Sequence, residues 1–161
     1  MPLPKRKPNR LSSFDYGQNS AYFLTACTKD KECLLWSDRF PLTASSDDIS
    51  HLSAAGLAID AAICEIPLRY PAITVEKYAV MPNHLHLLLL LQHAPSESSP
   101  DISRVMQQLK SAATKKIGRS VWQKSFHDRI VRDEKEYQAI WAYIDANPAR
   151  WHEDCYYPQV E

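Results

Sequence analysis

The stretch Ala72–Leu91, AITVEKYAVMPNHLHLLLLL, decides the fold. Two apolar runs flank Pro82 and Asn83, a pair that favours a turn. Ala72–Met81 reads as one strand and His84–Leu91 as the next, together a hairpin. Side chains alternate across a strand, so Leu85, Leu87 and Leu89 share one face and His84 and His86 the other. The leucine face needs a cover of helices, and both flanks supply one. Upstream, Leu52, Ala55, Ile59, Ile63 and Ile66 recur at helical spacing, with Pro67 and Pro71 expected to close the helix. Downstream, beyond a polar loop at 92–100, Ile102, Val105, Leu109, Ala113 and Ile117 form a second apolar stripe. Ala21–Thr28 reads as a further strand, Ser125–Arg132 as a fourth, and 37–50 as a polar loop. The order βαββαβ is the split-βαβ, ferredoxin-like arrangement: an α+β fold with a four-stranded antiparallel sheet and two helices on one face. One further C-terminal helix, Asp133–Ala146 with Asp133 as N-cap, is left to cross or flank the sheet.

A chain of 161 residues is expected to form one main domain, here 19–150, between a basic arm at 1–18 and a tail at 151–161. Only 3 glycines argue against Gly-rich nucleotide loops, collagen or flexible linkers. No apolar run nears the ~20 residues of a membrane span, and no apolar segment follows the basic N-terminus, so neither membrane nor secretory signal is expected. The 4 cysteines form no CxxC pair, which fits a reduced, cytoplasmic setting and argues against a zinc knuckle or disulfide framework. The formal net charge is zero, yet it is unevenly spread. Arg104, Lys110, Lys115, Lys116, Arg119, Lys124, Arg129 and Arg132 face a single acid, Asp128, within 104–132, a local charge of +7. Lys5, Arg6, Lys7 and Arg10 form a second cluster. Positive surface of this kind suits a phosphate backbone, with Lys110 the foremost candidate contact; the alternative is a solvated helix face.

Two imidazoles two residues apart on a strand are a natural pair of metal ligands, although they could equally fill a polar patch on an open sheet face. The last helix carries an apolar stripe of Tyr137, Ile140, Trp141 and Ile144. Tyr143 lies roughly 110° from its centre at about 100° per residue, so it is not an obvious core residue. Asn147 follows one turn on, and Pro148 disfavours helical backbone there. A phenol is a nucleophile toward phosphorus beside a metal-bound phosphate, and a carboxamide oxygen is a third ligand suited to Mg²⁺ or Mn²⁺. Edge packing for Tyr143 and simple capping for Asn147 are the alternatives. Tyr22, Tyr78 and Tyr137 read as sheet or core residues, and Tyr156 and Tyr157 sit in no motif.

The string YAVMPNHLHLLL, with WQKSFHDRIVRDEKEY and YIDANP further on, resembles the REP-associated tyrosine transposases, which are single-tyrosine, His-hydrophobic-His enzymes. RKPNRLSSFDYGQNSAYFLTACTKDKE and QLKSAATKKI extend the resemblance over Arg6–Arg150. It implies that His84 and His86 bind a divalent metal, that Tyr143 is the nucleophile, and that Asn147 completes the metal site. It also implies cleavage and rejoining of single-stranded or hairpin DNA through a 5′-phosphotyrosine, in a chain that works alone or as a homodimer. His127 and Asp128 of the FHD string receive no role. Two other readings compete: a domesticated, non-catalytic nucleic-acid-binding protein, and a metal-dependent phosphoesterase using water.

Overall fold

A computed structural model of the chain describes residues 20–92 and 100–159. The four strands are β1 (Ser20–Cys27), β2 (Ile73–Val80), β3 (His84–Leu91) and β4 (His127–Val131). They form one sheet in the order β2-β3-β1-β4, with every neighbouring pair antiparallel. This is the expected α+β, ferredoxin-like topology. The central pair, β3 and β1, is fully paired from Ser20↔Leu91 to Cys27↔His84.

The leucine face behaves as its periodicity requires. Leu85, Leu87 and Leu89 are fully buried with Tyr22 and Leu24 against Ile59 and Ile63 of helix α1 (Ala54–Cys64) and Val105 and Leu109 of helix α3 (Ile102–Ile117). Each such side chain contributes about 1.5–3 kcal/mol by leaving water. Both helices begin with a side-chain cap: Ser53 accepts from the Gly56 N–H and Asp101 from the Ser103 N–H. Gly118, at φ 93°, ends α3 in the left-handed conformation that glycine tolerates. Gly56 lets α1 approach the loop beneath it, since a Cβ there would stand 2.1 Å from the Leu35 carbonyl oxygen.

One expectation fails locally. Pro67 does not stop the helical path; it opens a second short helix, α2 (Ile66–Arg69). Proline is acceptable there because the first turn of a helix leaves its N–H groups unbonded anyway.

The opposite face of the sheet is not open. Helix α4 (Glu134–Ala146) crosses it, with Asp133 accepting from the Glu136 N–H as N-cap. A 3-10 segment, Pro148–Glu153, follows. Ile140, Ile144 and Trp151 bury Phe23, Ala79 and Leu88 in a second core. A bulge in β2 between Val75 and Lys77 turns Lys77 onto this face. There Lys77 Nζ lies 2.9 Å from Asp145 of α4 and 4.4 Å above the Trp141 ring. Trp141 is therefore a partly exposed edge residue rather than core. The buried stripe of α4 is centred nearer Ile140 and Ile144, which brings Tyr143 toward the sheet.

Candidate active site

His84 and His86 leave β3 on the α4 face, and both are fully buried. Each ring is held by its Nδ1. Asn83 donates through its amide to the Tyr156 carbonyl at 2.9 Å and to the Lys31 carbonyl at 3.4 Å. Its Oδ1 is thus an acceptor, and His84 Nδ1–H donates to it at 2.7 Å. His86 Nδ1 lies 2.8 Å from Thr25 Oγ1 on β1, its cross-strand partner. Both Nε2 atoms are buried without a hydrogen-bond partner among the described residues. Burial, then His86 and the Lys31 charge, hold His84 well below its usual range. Burial pushes His86 down to about 3. Two neutral imidazoles therefore present Nε2 atoms without a hydrogen-bond partner, and that of His84, whose proton sits on Nδ1, is a bare lone pair, the ligand-competent state of histidine.

A carboxylate completes the cluster. Asp154 follows the 3-10 segment and is buried, with Oδ2 3.7 Å from His84 Nε2. The ligating atoms of His84, His86 and Asp154 all lie within 4.8 Å of one another. Asp154 is itself positioned: it accepts from Asn147 Nδ2 at 2.9 Å and from the Tyr156 N–H at 2.8 Å. Asn147 is buried and its Oδ1 has no partner among the described residues. It adopts helical backbone, φ −60° and ψ −45°, contrary to the expectation from Pro148. The reason is that Pro148 opens the 3-10 segment, so the chain continues its turn instead of extending.

Tyr143 stands at the rim, half-buried. Its ring centroid is 5.5 Å from that of His86 and 6.2 Å from that of Phe23. Burial, then the charges of Asp154 and Cys155, push its hydroxyl above the ordinary phenol range. On the other side, the Tyr156 ring lies 4.5 Å from His84, and Trp151 lies 6.1 Å from it.

The fold thus brings His84, His86, Tyr143 and Asn147 into one neighbourhood. It adds Asp154, Asn83 and Thr25, which sequence reasoning did not single out. Asn83 was legible only as a turn residue and Thr25 only as a strand residue. No spacing rule marks Asp154, because a 3-10 segment of irregular backbone separates it from α4. His127 shares the histidine face, since Thr25 pairs with both His86 and His127.

The basic residues divide. Lys110 is half-buried and donates to the Gln123 and Ser125 carbonyls, each at 2.9 Å. Lys116 lies 3.3 Å from Glu65, and Arg129 pairs with Glu136 of α4. Arg104, Lys115, Arg119, Lys124 and Arg132 are exposed. Lys5, Arg6 and Lys7 lie outside the described residues. No described helix is long and apolar enough to cross a membrane.

Fold and site together define a ferredoxin-like α+β protein with a buried His-His-Asp cluster beside a helix-borne tyrosine. A solved structure with this fold is that of a REP-associated tyrosine transposase bound to a REP hairpin. The match covers 84% of this chain and 70% of that one, with a TM-score of 0.58 at 20% identity. The chain is also 28% identical over 174 residues to an uncharacterized protein of Haemophilus influenzae, covering 94% of this chain and 93% of that protein. No family model matches the chain.

Proposed function

We propose that this chain is a REP-associated tyrosine transposase that cleaves and rejoins single-stranded or hairpin DNA. The observation that carries the reading is Tyr143 packed on His86, beside two unpartnered Nε2 atoms and the Asp154 carboxylate. That donor set fits a divalent cation, Mg²⁺ or Mn²⁺: two neutral imidazole nitrogens and a carboxylate, the last held by the Asn147 amide. When bound, the cation polarises the scissile phosphate and offsets charge on its oxygens.

The chain's own residues supply the rest. Asn83 and Thr25 fix the two imidazole rings, so no reorganisation is needed when ligands bind. Burial keeps Tyr143 a neutral phenol at rest, so attack includes loss of its proton. The Tyr143 oxygen forms a bond to phosphorus as the bond from phosphorus to the 3′-oxygen breaks. The products are a 5′-phosphotyrosine and a 3′-OH, which takes up a proton. Attack by another 3′-OH on the phosphotyrosine reverses the step and rejoins strands without external energy. The exposed Arg104, Lys115, Arg119, Lys124 and Arg132, with Lys110 and the arm residues Lys5, Arg6 and Lys7, grip the backbone.

The test is a denaturing gel with end-labelled hairpin oligonucleotides in Mn²⁺ or EDTA. A covalent band that needs Mn²⁺ and disappears in Tyr143→Phe is the expected result. Hairpin binding with no adduct across a broad set of sequences would sink the strand-transfer reading and leave a binding protein.

A further inference from the structure

A second feature lies on the opposite face of the sheet, at the same end as the histidines. A groove of about 690 Å³ opens between α3 and the segment at 120–126. Lys110, Lys115 and Lys124 line it, and no acid does. Lys110 uses two of its three N–H donors on backbone carbonyls, leaving one. Trp122 lines it with a ring that is only 8% exposed. Phe126 adds a half-buried aromatic ring. The groove therefore combines ammonium groups and an aromatic wall. That chemistry matches a nucleotide, an anion joined to a flat ring rich in acceptors.

The location argues for the source of that nucleotide. The Gln123 N–H donates to the Cys27 carbonyl, and Cys27 is the cross-strand partner of His84. The groove wall and the histidine cluster are thus attached to one residue pair, on its two sides. Thr28, which bridges to Trp122, also bonds through its hydroxyl to the Asn83 carbonyl. Lys29 and Lys31 are exposed at the edge between the two sites.

We infer that this groove holds one unpaired nucleotide of the same strand whose phosphate is cleaved at the histidine site, the strand wrapping the end of the sheet. The inference rests on the nucleic-acid reading above, and the experiment separates the two. Hairpins with a single-stranded flank, carrying 5-iodouracil at one flank position at a time, are irradiated with the full chain, and cross-links are mapped by mass spectrometry. A flank position that cross-links to Trp122 or Phe126 is expected. The exposed double variant Lys115→Gln/Lys124→Gln should bind the same hairpin about tenfold more weakly, as loss of two phosphate contacts implies. Cross-links confined to the Tyr143 face, with unchanged affinity in the double variant, overturn the groove while leaving the catalytic reading intact. Absence of any binding or adduct overturns both. Competition at the groove by free dTMP as strong as by the strand would overturn the shared-strand assignment in favour of a mononucleotide site.

Discussion

At the residue scale, the site is built from neutral histidines. Taking an imidazole out of water disfavours its charged form, and burial holds His84 and His86 neutral in the folded protein. The linkage has a definite sign. Their folded pKa values lie below the unfolded value near 6.5, so below that pH the unfolded chain binds protons that the native one does not. Stability is therefore fully present above about pH 6.5 and falls as pH drops toward the folded values, by about 1.4 kcal/mol per pH unit for each proton. Urea unfolding of the metal-free protein between pH 7.5 and 5 should show this slope, and His86→Gln should lessen it. A flat profile over that range would contradict neutral burial.

The element scale concerns how α4 is held over the sheet. Apolar contact alone leaves its rotation loose, because the buried stripe is narrow: Ile140 and Ile144 are its only fully buried residues. The polar lock is Lys77, turned inward by the β2 bulge and paired with Asp145 two residues beyond Tyr143. Asp145 also accepts from Ser45 and Ser46, tying down the loop at 37–50, and the Lys77 hydrogen bond, then the Ser46 N–H, the Lys77 charge and Ser45, hold its carboxyl below the usual range. Asp47, largely exposed at 3.4 Å, is a weaker second partner for Lys77. Asp145→Ala leaves the buried ammonium only its weaker partner Asp47 and should cost about 2 kcal/mol in a urea titration, the size of one charge-assisted hydrogen bond. Adduct formation should fall with it, since Tyr143 rides on the same helix. Wild-type stability in this variant would show that apolar packing alone seats α4.

At the scale of the whole molecule, the cluster joins segments far apart in the chain. The histidines come from β3, their orienting groups from β1 and the β2–β3 turn, and the carboxylate from beyond α4. A cation held there binds the folded chain only, so it stabilises the fold as a whole. Free Mn²⁺ at about a hundredfold above its dissociation constant should raise Tm by roughly 5–10 °C. Asp154→Asn should shrink that shift. A melting curve indifferent to Mn²⁺ and Mg²⁺ would remove the cation from the site.

The hairpin, the four-stranded antiparallel sheet and the leucine core were legible in the sequence because alternation and helical spacing are local consequences of burial. Residues Leu85, Leu87 and Leu89 had to face helices wherever those helices came from. The HLH pair was legible for the same reason, whereas Tyr143, read as lying off the apolar stripe, is turned toward the sheet by the docking of α4. Other features were beyond such reasoning. Pattern reading set Trp141 in the apolar stripe, whereas the fold uses it to cover Lys77, because a bulge in another strand decides what lies beneath that part of α4. Asp154 reaches the histidines through a 3-10 segment with no periodicity to read. Sequence determined which faces are buried, a matter of spacing along one element. Tertiary structure alone decided which polar groups meet on the far side of the sheet, a matter of how separate elements are docked.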